Sequence, residues 1–168
     1  MTVQGASTAR AGFSVKVRVY YEDTDAAGVV YYANYLKFME RARTEWLEAL
    51  GFPLAAFERD HLVAFVVRHA DIDFLLPARL NDRLEATVEV LDRGASRMTL
   101  EQSVLRDATE LATARITLAC LDTARWRPTR IPAPLAAILK TGAMAVRRER
   151  RPSRRVAERT ESTEQESP

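Results

Sequence analysis

At 168 residues, 47% apolar and 29% charged, the chain has the composition of a soluble globular protein large enough to bury one core. No apolar run reaches the roughly 18 residues that cross a bilayer, and MTVQGASTARAGF at the N-terminus lacks the apolar stretch of a signal peptide. Cys120 is the single cysteine, which excludes an intramolecular disulfide; a cytoplasmic location is expected.

The net charge of +2 does not belong to the body of the chain. Residues 147–168 hold seven Arg and five Glu, whereas the remainder carries 18 basic and 18 acidic residues. A neutral body argues against a nucleic-acid-binding surface, and no nucleic-acid partner is expected. The tail is poor in apolar residues, contains Pro152 and passes from a basic to an acidic block, a composition that predicts disorder. The predicted organisation is a flexible N-terminus over 1–12, one domain over 13–140 and a disordered charged tail over 141–168.

In chain order, Phe13, Val15, Val17, Val19 and Tyr21 alternate with Ser14, Lys16, Arg18 and Tyr20, the period of two that predicts a strand. The period then changes. Tyr35, Met39, Ala42, Trp46 and Ala49 follow helical spacing, with Leu36, Leu47 and Leu50 widening the stripe. Gly51 and Pro53 supply stop signals, so a helix is predicted from about Ala33 to Leu50. A short helix is expected from Pro53 to Arg59. Four strand-like runs follow: HLVAFVVRHADIDFLL, long or bent and ended by Pro77, then RLEATVEVLDRG, SRMTLEQSVLRD and LATARITLACLDT. Asp92-Arg93-Gly94 and Asp107-Ala108-Thr109 are the predicted hairpin turns. Trp126, Pro128 and Pro132 close the sheet, with a last short helix over Pro134–Lys140. Short turns imply antiparallel pairing. The predicted class is α+β, a curved antiparallel sheet of about five strands wrapped around one long central helix. Open edges on such a sheet predict a homo-oligomer.

Between the first strand and the long helix stands YEDTDAAGVVYYANY, with Glu22, Asp23 and Asp25 within four residues. An EF-hand loop would need an oxygen ligand and a Glu where Ala27 and Asn34 stand. An aspartyl-phosphatase motif would need a parallel doubly wound sheet. No G-x-S-x-G elbow occurs, and Cys120, mid-strand, reads as a core residue. His69 with Asp71 and Asp73 is a weak zinc pattern, so no metal site is expected. Two readings of the acids stay open. They act as favourable charges near the helix N-terminus, or the loop folds back so that Asp25 faces the free N–H groups of the first helical turn across an electrophilic carbonyl. Gly28 would permit the turn.

VRVYYEDTDAAGVVYYANYLKFMERARTEWL, followed by VAFVVRHADIDFLLPARLND, resembles the Tol-Pal-associated acyl-CoA thioesterases within the 4-hydroxybenzoyl-CoA thioesterase-like hotdog family, over roughly Val15 to Pro132. The resemblance implies a hotdog fold and hydrolysis of a short-chain acyl-CoA to a carboxylic acid and CoA, without a cofactor. It implies that Asp25 is the nucleophile or general base and that the backbone N–H of Tyr32 polarises the thioester carbonyl. Gly28 matches the turn glycine, and Tyr31 and Asn34 match pocket-lining positions. Glu40 is a candidate for orienting the site, with a salt bridge to Arg41 or Arg43 as its structural alternative. Many members carry His where this chain has Tyr32, so the N–H role survives here and an imidazole role does not. The implied partners are acyl-CoA, acyl-carrier protein as an alternative carrier, and a second copy or three further copies of the chain. The alternative function is a weakly catalytic hotdog module that binds acyl-carrier protein or envelope-lipid enzymes. A hotdog dehydratase is a third, disfavoured by the lack of a His at the junction.

Overall fold

The computed structural model describes residues 12–142. Of the expected terminal segments, residues 1–11 and 143–168 lie outside the described residues.

Alternation produces the first strand, β1 (Phe13–Arg18), and Val17 and Val19 are buried on its inner face. The inward run was expected to reach Tyr21. Instead the chain breaks into a single 3-10 turn over Tyr21–Asp23, which turns Tyr21 outward to 82% exposure.

The helical stripe produces α1 (Tyr32–Ala49), which buries Asn34, Tyr35, Phe38, Met39, Ala42, Trp46 and Leu47. It starts one residue before the expected Ala33. Its buried stripe is rotated from the expected one: Phe38, absent from the prediction, is fully buried, whereas Ala49 and Leu36 face outward. The helix ends as Gly51 predicts. Gly51, at φ +88°, donates its N–H to the Glu48 carbonyl at 2.9 Å, and Phe52 donates to Leu47 at 3.0 Å. These paired bonds satisfy carbonyls that the helix end would orphan, with glycine in the left-handed position that other residues enter at a cost.

A second helix, α2 (Leu54–His61), runs two residues beyond the expected Arg59 and ends at Leu62 in the left-handed region. The strands β2 (Val63–Phe74), β3 (Arg83–Arg93), β4 (Arg97–Arg106) and β5 (Thr109–Asp122) match the four predicted runs. The bend expected in the first of them is a bulge between Val67 and His69. All pairings are antiparallel, in the spatial order β1-β3-β4-β5-β2, and a short β6 (Arg127–Pro128) lies beside β5. The last helix, α3 (Ala133–Gly142), covers the predicted one and carries buried Leu135 and Leu139.

The β3–β4 turn falls later than Asp92-Arg93-Gly94. A bulge between Val90 and Asp92 lengthens β3 to Arg93, and Gly94 N–H closes the turn on the Arg97 carbonyl at 2.9 Å. The β4–β5 turn is where it was expected, with Asp107 at φ +48° and Ala108 at +66°. Two consecutive left-handed residues make a turn that favours glycine. Ala108→Gly is expected to raise stability by about 0.5–1 kcal/mol, the steric relief outweighing glycine's extra unfolded-state entropy, read as a shift in the denaturant midpoint.

The sheet curls around α1, which rests on β1, β3 and β4 in the α+β hotdog arrangement. One polar side chain joins the two layers. Gln102, fully buried on β4, donates to the Met39 carbonyl of α1 at 2.9 Å and to the Thr87 carbonyl at 3.1 Å, and accepts from Arg43 at 2.7 Å. Among the described residues no helix is long and apolar enough to cross a membrane.

Candidate active site at the start of the long helix

The acidic segment folds back on itself. Asp25 donates its N–H to the Val29 carbonyl at 2.9 Å, and Gly28 donates to the Asp25 carbonyl at 2.9 Å. The Asp25 Oδ1 accepts from Ala27 N–H at 2.8 Å, fixing the carboxylate over its own turn while the residue stays exposed. Gly28 sits at φ +71° with open space where a Cβ would stand, so the backbone conformation and not crowding calls for glycine. A bridge from Thr24 to Val30 joins the two arms of the loop, and one from Val29 to Arg79 ties it to the segment before β3.

The loop then meets the helix. Tyr31, the N-cap residue, donates its N–H to the Asp23 carbonyl at 2.9 Å, and Asn34 N–H bonds the Tyr31 carbonyl at 2.8 Å. No side chain caps α1. Among the described residues the N–H groups of Tyr32 and Ala33 therefore keep the unpaired state that helix geometry leaves at its first turn. The capping reading of the acids has no hydrogen bond behind it: Asp25 bonds Ala27, and the Asp23 carboxylate accepts from Tyr20 N–H at 2.8 Å.

Asp25, Gly28, Tyr31 and Tyr32 thus belong to one loop and the helix start it leads into. The Tyr31 and Tyr32 rings lie 4.6 Å apart, 44% and 61% exposed. A hydrogen bond with the Tyr32 side chain is the main reason the Tyr31 phenol stands above its ordinary value, with the Asp25 charge pushing the same way. Asn34 is set apart from solvent, buried, with its amide donated to the Asp23 carbonyl at 2.9 Å. Glu40 lies about 12 Å along the helix from Tyr32, at 1.5 Å per residue. It is exposed and accepts from the Thr44 hydroxyl at 2.9 Å. Its charge partly offsets the desolvation that lowers the Arg43 guanidinium, but the described ion pairs do not include the alternative bridge to Arg41 or Arg43.

Two aromatic residues join the site that the sequence did not assign to it: Phe74, and Tyr35, which was read only as part of the helical stripe. Phe74, at the end of β2, meets Tyr32 edge-on at 6.2 Å and Tyr35 at 5.5 Å. The Tyr35 hydroxyl accepts from Ala78 N–H at 2.9 Å, tying the helix to the segment after β2, and burial raises its phenol. Only the apolar ending I-D-F-L-L hinted at Phe74, and nothing local says that β2 ends beside the helix start.

Cys120 is remote from this loop, buried on β5, and burial pushes its thiol up to about 11. A thiol held neutral and shielded is a poor nucleophile. A disulfide reagent at pH 8 is expected to leave Cys120 unmodified in the folded protein and to titrate one thiol after unfolding.

The fold and this loop define a thioesterase-type domain: residues 19–139 match the Thioesterase-like superfamily, and the chain belongs to it. Among its relatives, the acyl-CoA thioesterase YbgC of Haemophilus influenzae is 43% identical over 121 residues, spanning 72% of this chain and 89% of that protein. The acyl-CoA thioester hydrolase YbgC of Escherichia coli is 42% identical over 129 residues, spanning 76% and 96%. Among solved structures, a probable thioesterase from Bartonella henselae is 35% identical with a TM-score of 0.67, covering 72% of this chain and 99% of that one. A Thermus thermophilus thioesterase complexed with coenzyme A and Zn is 27% identical with a TM-score of 0.68, covering 78% and 93%.

Proposed function

We propose that the chain is a thioester hydrolase that cleaves a short-chain acyl-CoA, R-CO-S-CoA plus water giving R-COOH and CoA-SH, at the turn before α1. Membership of the superfamily and the acyl-CoA thioesterases at 42–43% identity support the reaction class. The observation that carries the assignment to residues is the return of the loop. It brings an exposed carboxylate, Asp25, onto the same short segment as the unpaired N–H of Tyr32.

In this reading the thioester carbonyl enters between them. Asp25 attacks the carbonyl carbon or takes the proton of the water that does, and negative charge passes to the carbonyl oxygen. The Tyr32 N–H, at the positive end of an 18-residue helix, donates to that oxygen as the charge grows, which stabilises the transition state more than the ground state. Collapse of the tetrahedral species expels the CoA thiolate, which takes up a proton to give CoA-SH; on the nucleophilic route water then hydrolyses the acyl–Asp25 anhydride, releasing R-COOH and restoring the carboxylate. Gly28 keeps the turn that presents Asp25, and the Tyr31 ring lines the entrance. The chain works in the cytoplasm as a homodimer or homotetramer: β2 is an edge strand whose last half is exposed, followed by exposed Leu75 and Leu76.

A panel of acyl-CoA chain lengths, with the same acyl groups on acyl-carrier protein, tests the substrate. Thiol release fastest on short acyl-CoA is expected. Faster turnover of long chains or of the carrier-protein thioesters would transfer the specificity elsewhere. Light scattering of the purified chain is expected to give a mass of two or four protomers.

A further inference from the structure

Two aspartates stand two residues apart in the loop, and the reading above uses only Asp25. Asp23 is as buried as the core, at 5% exposure, and three hydrogen bonds converge on it. Its carboxylate accepts from Tyr20 N–H at 2.8 Å, which fixes the turn on the strand side. Its carbonyl accepts from Tyr31 N–H at 2.9 Å and from the Asn34 amide at 2.9 Å, which fixes it to the first turn of α1. Asn34 itself is 5% exposed. A buried amide with one N–H committed to a backbone carbonyl is shielded from a substrate, and a buried carboxylate engaged with a backbone N–H is held as a hydrogen-bond acceptor.

We infer that Asp23 and Asn34 are positioning residues: together they clamp the turn bearing Asp25 to the helix start bearing the Tyr32 N–H, and neither touches the thioester. This rests on the assignment of Asp25 and Tyr32 above. It explains the spacing of the motif. Asp25 must be near the first turn of the helix without capping it. The intervening residues are free to form the Gly28 turn because Asp23, just upstream, ties the loop back through its carbonyl. Small displacements of reacting groups cost large factors in rate, so loosening the clamp lowers kcat without removing a substrate contact.

The inference separates the two acids. Asp23 acts as a hydrogen-bond acceptor, so Asp23→Asn, which keeps an acceptor oxygen, retains kcat within about threefold, whereas Asp23→Ala and Asn34→Ala lower kcat by roughly 10–100-fold with KM little changed. The pH profile of the residual activity keeps the midpoint of the unsubstituted protein, because neither clamp residue takes part in the chemistry. Hydrogen exchange at the Tyr31 amide is faster in Asn34→Ala than in the unsubstituted chain. Asp23→Asn as inactive as Asp25→Asn would overturn the inference by giving Asp23 a charge-dependent role. A raised KM with unchanged kcat in Asn34→Ala would overturn it by making Asn34 a substrate ligand. Unaltered exchange at Tyr31 would overturn it whatever the kinetics. If Asp25→Asn proved fully active, the assignment of the site would fall, and Tyr31 exchange would still judge the clamp on its own.

Discussion

Asp25→Asn is expected to lower turnover of an acyl-CoA by about 10²–10⁴-fold, the range spanned by removal of a positioned acid–base group, with melting temperature and oligomeric state unchanged. The asparagine is isosteric and keeps an oxygen to accept from Ala27 N–H, the hydrogen bond that the Asp25 side chain makes among the described residues. The residue is exposed, and surface substitutions that preserve such a bond shift stability by about 0.5 kcal/mol or less. What the amide lacks is negative charge and basicity. Nucleophilic attack and general-base catalysis both need them, so the expected loss is the same for either route. A single turnover in ¹⁸O-labelled water that leaves label in the Asp25 carboxylate identifies attack by the aspartate, with water then entering at the aspartyl carbonyl of the anhydride.

The second large effect is on stability. Gln102→Leu is expected to destabilise the domain by about 2–4 kcal/mol, a fall in melting temperature of roughly 5–15 °C. The side chain is fully buried and makes three hydrogen bonds, and leucine has a similar volume, so the cost is polar and not steric. The Met39 carbonyl lies within α1, whereas the Thr87 carbonyl loses its Gln102 donor where the β3–β4 register leaves Thr87 unpaired. The Arg43 guanidinium is the group left worst off. Desolvation already lowers it from its ordinary value, and the Gln102 Oε1 at 2.7 Å is the hydrogen-bond acceptor recorded for it. Arg43→Met in the same background is expected to recover part of the loss, because it removes the buried charge along with its need for a partner. Chemical denaturation of the single and double variants reads both numbers.

The sheet was legible because each strand alternates within itself: the runs in β3, β4 and β5 need only their own residues to declare an inner face. The long helix was legible from its stripe and from the Gly51 stop, where a closing glycine has a geometric reason. What local pattern did not carry was rotation and register. Phe38 is buried and Ala49 exposed because β1, β3 and β4, distant in sequence, decide which side of α1 faces the sheet. The β3–β4 turn moved because a bulge at Leu91 adds a residue that alternation cannot reveal. In the candidate site, the turn that carries Asp25 followed from the spacing of an acid, a glycine and a helix start. The bonds of Asp23 and Asn34 did not, since a backbone carbonyl leaves no trace in a sequence. Phe74 and Tyr35 join the site only once β2 has paired with β5 and brought its end to the helix.

Thiol release from a short acyl-CoA by the purified 168-residue chain, measured beside folded Asp25→Asn protein, tests the assignment most directly. The predicted result is equimolar CoA and carboxylic acid from the unsubstituted chain and at least a hundredfold less from the variant. Equal rates from the two proteins, or no hydrolysis of any acyl-CoA by a folded and oligomeric chain, would contradict it.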